Sequence, residues 1–200
     1  MNQDNDKALI TIEPYSPHWP IEYQQLRDVY EKHLKGLYHD IQHVGSTSVE
    51  GLAAKPILDI DIILGDESAL SEIISRLQQI GYRYMGTMGI PGRHAFAAAS
   101  VDVPIGVPEG RMDHHLYVCM QGTLALENHI RFRDYLRNHP EALIEYAKLK
   151  QGLAVTATSM ESYVSQKTAF IIGVLQICGL GDDAIGAIRS ANEEGIIDIE

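Results

Sequence analysis

Cysteine is nearly absent from the chain. Cys119 and Cys178 are the only two in 200 residues, far apart and each inside an apolar run. That argues against a disulfide framework or a cysteine metal knuckle and reads as two reduced core thiols of a cytoplasmic protein. Positive charge is also scarce: 16 Lys and Arg stand against 27 Asp and Glu, for a formal net charge of −11. This argues against a nucleic-acid duplex as partner, because gripping a phosphate chain calls for broad positive faces. It leaves room for one small anion held by a few local cations. No apolar run reaches the roughly 20 residues of a membrane span. The N-terminal "MNQDNDKALI" lacks the charged-then-apolar pattern of a secretory leader. Internal repeats, low-complexity tracts and linkers are missing too. The expectation is a soluble cytoplasmic chain with no membrane partner, folded as one domain over 1–200.

What is present suits a real core, with 45% hydrophobic and 22% charged residues. "ALITIEPY" alternates like a short strand ended by Pro14 and Pro17. "SPHWPIEYQQLRDVYEKHLKGL" repeats Ile21, Leu26, Val29, Tyr30, Leu34 and Leu37 near helical spacing, with Pro20 suited to a first turn. "YHDIQHVGS" is a strand running into a turn, and "KPILDIDIIL" is a buried strand. "DESALSEIISRLQQIGY" is a helix with Gly81 just past its end. Short strands follow to "HHLYVCM", with turns at "GIPGR" and "PEGRM". From Thr123 onward the pattern is helical, with a capping box expected at Thr158 to Glu161. Mixed strands and helices over about 8–122, then helices alone over about 123–190, give an α+β class.

The chemistry concentrates in "HVGSTSVEGLAAKPILDIDIIL", His43 to Leu64. Side chains at i and i+2 of a strand share a face, so Asp59 and Asp61 project together while Ile60 and Ile62 face the core. Two adjacent carboxylates repel unless a proton or a cation sits between them. A hard divalent ion, Mg²⁺ or Mn²⁺, relieves that repulsion and commonly accompanies substrate phosphates. Gly45 lets the backbone approach a ligand closely, and the turn at Ser46 and Thr47 offers free N–H groups to a phosphate. Lys55 adds a point charge. Each piece has an ordinary alternative: a chance D-x-D, a Gly-Ser helix cap, a solvated lysine. Gly-Ser, twelve intervening residues and Asp-Ile-Asp in that order say more than any one of them.

That order resembles the signature of the polymerase-beta-like nucleotidyltransferase superfamily. "HVGSTSVEGLAAKPILDID" is similar to one branch, the GrpB family. "YSPHW", Gly81-Tyr82, "HHLYV", "RFRDYLRNHPE", "YAKLK" and "SYVSQKTAFI" look like that family's landmarks in the right order, from about Ile10 to Cys178. The resemblance implies a nucleotidyltransferase-like mixed sheet with flanking helices and a C-terminal helical bundle. It implies an NTP ligand, Mg²⁺ or Mn²⁺ on Asp59 and Asp61, and transfer of a nucleoside monophosphate to a small acceptor. The non-catalytic alternative is a binding module with the same fold. It is favoured by a departure: the superfamily's third carboxylate has no counterpart here. The family's "HHLHV" strand reads "HHLYV", leaving His115 beside Tyr117. Asp102 is a substitute candidate. Glu50 replaces a proline common in the family.

Arg133 and Arg137 share a helix face, as do Tyr146 with Lys150 and Tyr163 with Lys167. One reading is solvated cations with packed stems. The other is a helical layer closing over the Gly-Ser and Asp face, its cations on a triphosphate and a tyrosine on the base or ribose. The resemblance favours Arg133, Lys150 and Lys167. His43 either orients the turn or touches phosphate. His18, His33, His129 and His139 are expected on helix surfaces or caps. Sequence names no acceptor, base preference or oligomeric state.

Overall fold

In the computed structural model, which describes residues 10–100, 102–107 and 111–193, five strands build one sheet. These are β1 (Asp40–Val44), β2 (Ile57–Leu64), β3 (Tyr82–Tyr84), β4 (Arg93–Ala98) and β5 (Asp113–Met120). Their spatial order is β1-β2-β5-β4-β3. The β2–β5 pair is parallel and the other pairs are antiparallel, so the sheet is mixed. Six helices complete the α+β fold: α1 (Trp19–His33), α2 (Leu70–Gln79), α3 (Leu124–Asn138), α4 (Pro140–Thr156), α5 (Met160–Ile177) and α6 (Asp182–Glu193).

β2 reads as a continuous apolar run because both its faces are covered. On one face Leu58, Ile60, Ile62 and Leu64 join Ile41, Leu116, Val118 and Phe96 under α1 and α2. Helix α1 contributes Trp19, Tyr23, Leu26, Val29 and Tyr30 to this core, and burying each large side chain is worth roughly 2 kcal/mol. Ile21, expected on that stripe, is exposed instead, because two residues from Trp19 and from Tyr23 it falls on the opposite side of the helix. Against the other face, Leu126 of α3 packs on Ile63 and Cys119. A second apolar cluster joins α3, α4, α5 and α6 through Phe132, Leu136, Tyr146, Ile171 and Leu175, with Val49 and Leu52 from the β1–β2 connection. The helical bundle therefore sits on the face that carries Asp59 and Asp61.

The signals at element ends account for most boundaries. Pro20 lies in the first turn of α1, and Gly81 follows the Ile80 cap of α2 with φ 103°. The N-terminal strand shrinks to one bridge, Glu13 with Ala54, because Pro14 ends the pairing; Ala8 and Leu9 lie outside the described residues. Helix α5 is capped by Ser159, whose Oγ accepts from the Ser162 N–H at 3.1 Å, one residue later than the expected Thr158. Most of the expected "PEGRM" turn lies outside the described residues. Among the described residues no helix is long and apolar enough to cross a membrane.

Candidate functional site

Asp59 lies between Val44 of β1 and His115 of β5, and Asp61 between Gln42 and Tyr117. β1 ends at Val44, and the chain turns at Gly45 into a single 3-10 turn, Ser46–Ser48. Gly45 has φ 67°, and a Cβ placed there would stand 2.1 Å from Asp59 Oδ2. Only glycine satisfies both the backbone conformation and the close approach. The Gly-Ser bend is thus pressed against the first carboxylate. Gly45→Ala is expected to cost about 2 kcal/mol through left-handed strain and a displaced Asp59. Urea denaturation measures it, with Gly51→Ala (φ 81° but nothing within 4 Å) reporting the strain alone. Equal losses for the two variants would deny the tight approach.

The carboxylates are 6% and 0% exposed, a costly arrangement unless both are hydrogen-bonded. Two imidazoles supply the bonds. His115 Nδ1–H donates to Asp59 Oδ1 at 2.9 Å, and His129 Nδ1–H donates to Asp61 Oδ2 at 2.8 Å. Burial alone would lower the His129 pKa, but the Asp61 carboxylate and its hydrogen bond outweigh that and raise it. Burial and the same carboxylate push the Cys119 thiol well above its ordinary value. Among the described residues Asp61 Oδ1 is enclosed without a hydrogen-bond partner.

His129 is the functional residue that sequence reasoning missed. It is 7% exposed, not on a helix surface. The available signal was spacing: His129, Arg133 and Arg137 fall at i, i+4 and i+8 of α3 and form one stripe. The stripe reaches Asp61, then β1, then the turn. Arg133 donates from Nη1 to Gln42 Oε1 at 2.6 Å and to the His43 carbonyl at 3.0 Å, and from Nε to Asp134 at 2.8 Å. Arg137 donates to the Ser48 carbonyl at 2.7 Å. Both arginines clamp the strand and turn that carry the Gly-Ser bend. Arg133, expected on a ligand phosphate, is engaged in this clamp.

His43 takes the first of the two roles left open for it, orienting the turn. It pairs with Ile60, on the opposite face from the carboxylates, and stacks on Tyr23 at 4.6 Å. Its Nε2 lies 3.0 Å from Thr47 Oγ1, which itself donates to the Ile57 carbonyl at 3.2 Å. Since the hydroxyl has one proton, His43 must donate, which fixes its tautomer. Burial, with Arg137 and Arg133 nearby, lowers its pKa to about 3. His43 and Thr47 orient the turn from behind.

The three lysines are buried, not solvated: Lys55, Lys150 and Lys167 are 8%, 1% and 0% exposed. Lys150 Nζ donates to Ser46 Oγ at 2.7 Å and lies 4.8 Å from the Tyr146 ring centroid. Lys55 and Lys167 approach the Tyr163 ring at 5.2 and 4.6 Å, within cation–π range. Helix α4 thus brings one cation, Lys150, to the Gly-Ser bend.

Asp102 does not supply a third carboxylate beside Asp61, where Tyr117 stands in register. It is exposed and lines a cavity of about 470 Å³ with Arg111, His114 and His115. Among the described residues no group of three or more His, Cys, Asp or Glu forms a metal cage. Two carboxylates, one with an unsatisfied oxygen, suit a hard ion that completes its shell with water and substrate oxygens. Each carboxylate's other oxygen is held by an imidazole, which fixes its orientation.

A family model described as GrpB protein matches residues 9–176. The UPF0157 protein YqkA of Bacillus subtilis is 37% identical over 132 residues, 66% of this chain but only 36% of that relative's length. The crystal structure of the conserved protein GrpB from Enterococcus faecalis superposes with a TM-score of 0.70 at 28% identity, covering 88% of this chain and 98% of that one. A chain in the GLD-2/RNP-8 complex matches at a TM-score of 0.50 and 16% identity, over 94% of this chain and 70% of that one. At that identity the likeness concerns the fold alone.

Proposed function

The chain belongs to the GrpB family, and from its Gly-Ser bend and carboxylate pair we propose that it binds a nucleoside triphosphate with one Mg²⁺ or Mn²⁺ and transfers the nucleoside monophosphate to a small acceptor. The observation that carries this reading is the contact of Gly45 with Asp59 Oδ2, Asp61 lying on the same strand face. Phosphates at the bend would meet the turn's N–H groups and Lys150, with Lys55 and Lys167 behind. Asp59 and Asp61 would hold the ion, and Tyr163 would pack on the ribose or base. The ion, when bound, neutralises phosphate charge and polarises the α-phosphorus. In the transfer an acceptor oxygen bonds to that phosphorus, the bond to the bridging oxygen breaks, and pyrophosphate leaves. One of the two carboxylates takes the acceptor's proton.

The helical layer lies shut over the turn. Between Gly45, Ser46, His129 and Arg133 the free volume is about 10 Å³, room for one water at most. Loading a phosphate between these residues would therefore require α3 to lift from the bend.

Calorimetric titration with ATP, with and without Mg²⁺, followed by a pyrophosphate assay, tests the reading. Mg²⁺-dependent binding and pyrophosphate release are expected; no nucleotide binding rejects it. Lys150→Met keeps the packing on Tyr146 and removes one charge-assisted bond, so ATP affinity is expected to fall about 10- to 100-fold. An unchanged affinity takes Lys150 out of the site. Tyr117 at the position beside Asp61 favours a second reading, a nucleotide-binding module without turnover. Tight Mg²⁺-dependent binding with no pyrophosphate would decide for it.

A further inference from the structure

We propose that the cavity at the Asp61–His129 end of the site binds an organic carboxylate with an apolar body and a hydroxyl or amine beside the carboxylate. The cavity holds about 530 Å³, a normal size for a small-molecule site. Its walls are largely apolar, with Ile90, Pro91, Leu124, Ala125 and Ile188 among them. Against that lining stand two side chains, each with one polar atom that no described residue satisfies. Arg93 and Asn128 both line the cavity and are each 2% exposed. Among the described residues Arg93 Nε and Asn128 Oδ1 are enclosed without a hydrogen-bond partner.

The chemistry of those two groups selects the ligand. Among the described residues the Arg93 guanidinium has no carboxylate partner, and it rests on the Tyr117 ring with its central carbon 4.4 Å from the centroid. The Asp61 carboxylate is ion-paired with His129 through Oδ2 and, among the described residues, forms no ion pair with Arg93. A buried fork of N–H donors matches a planar anion in bidentate fashion. Asn128 Oδ1 is an acceptor, so the ligand must also carry an O–H or N–H. The apolar walls require a hydrocarbon or aromatic body. A neutral nucleobase would satisfy the amide but leave the guanidinium charge unmatched.

The position links this cavity to the chemistry proposed above. His129 lines it and bonds Asp61 through Nδ1, so a hydroxyl seated there lies about one imidazole ring from the carboxylate. On the nucleotidyl-transfer reading, and resting on it, this molecule is the acceptor. Binding itself does not depend on that reading.

Calorimetry without nucleotide tests the binding, using 3-phenyllactate, phenylalanine and 2-hydroxyisocaproate, with the methyl ester of phenyllactate as the uncharged control. At least one acid is expected to saturate the protein, and the ester to bind at least about tenfold more weakly. Arg93→Met is expected to weaken the acid about 30-fold or more. Because Arg93 is buried, Ala187→Trp at the exposed rim serves as a second variant that should block binding without a lower melting temperature. No saturation by any of the three acids, an ester that binds equally, or undiminished binding by folded Arg93→Met would overturn the proposal. Adenosine binding that is lost in both variants would overturn it in favour of a base site. Adding ATP and Mg²⁺ separates the two readings. Acid binding with no pyrophosphate leaves the cavity standing and removes the transfer. Pyrophosphate release with no acid bound does the reverse.

Discussion

Asp59→Asn should abolish pyrophosphate release, a loss of about 10³-fold or more, and remove the Mn²⁺-dependent part of ATP affinity while the fold survives. The substitution keeps shape and one oxygen while deleting the charge that a hard cation requires, and losing one such electrostatic group commonly costs this much in rate. His115 is partly exposed, so it can hydrate when its partner becomes neutral. Asp61→Asn should also lose both signals, but with a different stability. Asp61 is fully enclosed and its partner His129 nearly so. Removing one charge of a buried pair strands the other, at about 3 kcal/mol. Titration of ATP with Mn²⁺, the pyrophosphate assay and urea denaturation separate the effects. If Asp59→Asn binds Mn²⁺ and ATP as the parent does and releases pyrophosphate at the same rate, the carboxylate pair is structural and the proposed function fails.

The carboxylates were legible because strand periodicity is local. Asp59 and Asp61 two apart in an apolar run dictate a shared face before any tertiary contact is known, and a glycine ahead of the turn announces a close approach. The role of Lys150 was half legible. Its i, i+4 relation to Tyr146 predicts the cation–π contact, yet nothing local says that the ammonium ends on Ser46 Oγ, 104 residues away in sequence. His129 was legible only as one member of the α3 stripe with Arg133 and Arg137, and Arg93 not at all. Each acquires its meaning from a partner on another element: Asp61 across the α3–sheet interface, and Tyr117 one strand over. For His43 proximity to Gly45 left two roles open, orienting the turn or touching phosphate, and alternation along β1, which sends its ring to the α1 side with Ile41, favours the first.

His43 and His114, both away from the carboxylates, should together withdraw about 4 kcal/mol of stability between pH 7.5 and pH 5.0. His43 has its pKa lowered to about 3, chiefly by burial and then by Arg137 and Arg133. His114 is lowered to about 4, again chiefly by burial and then by Arg111, with its Nε2 bonded to the Tyr82 hydroxyl. Both titrate near 6.5 in the unfolded chain. A depressed folded pKa means that the unfolded state binds protons first, so the stability contribution is complete above 6.5 and lost as pH falls toward the folded value. At pH 5.0 the gap of about 1.5 units below the unfolded pKa gives about 2 kcal/mol for each group. His129 acts with the opposite sign: its raised pKa adds stability below 6.5 that disappears as pH rises through the folded value. The profile should therefore peak near pH 6.5 and drop on the acid side. Urea midpoints at pH 7.5, 6.5 and 5.0 measure it, and His43→Gln, which retains a donor for Thr47, should halve the acid-side drop. A flat profile, or the full drop in His43→Gln, would show that His43 accepts a proton in place and does not lock the turn from behind.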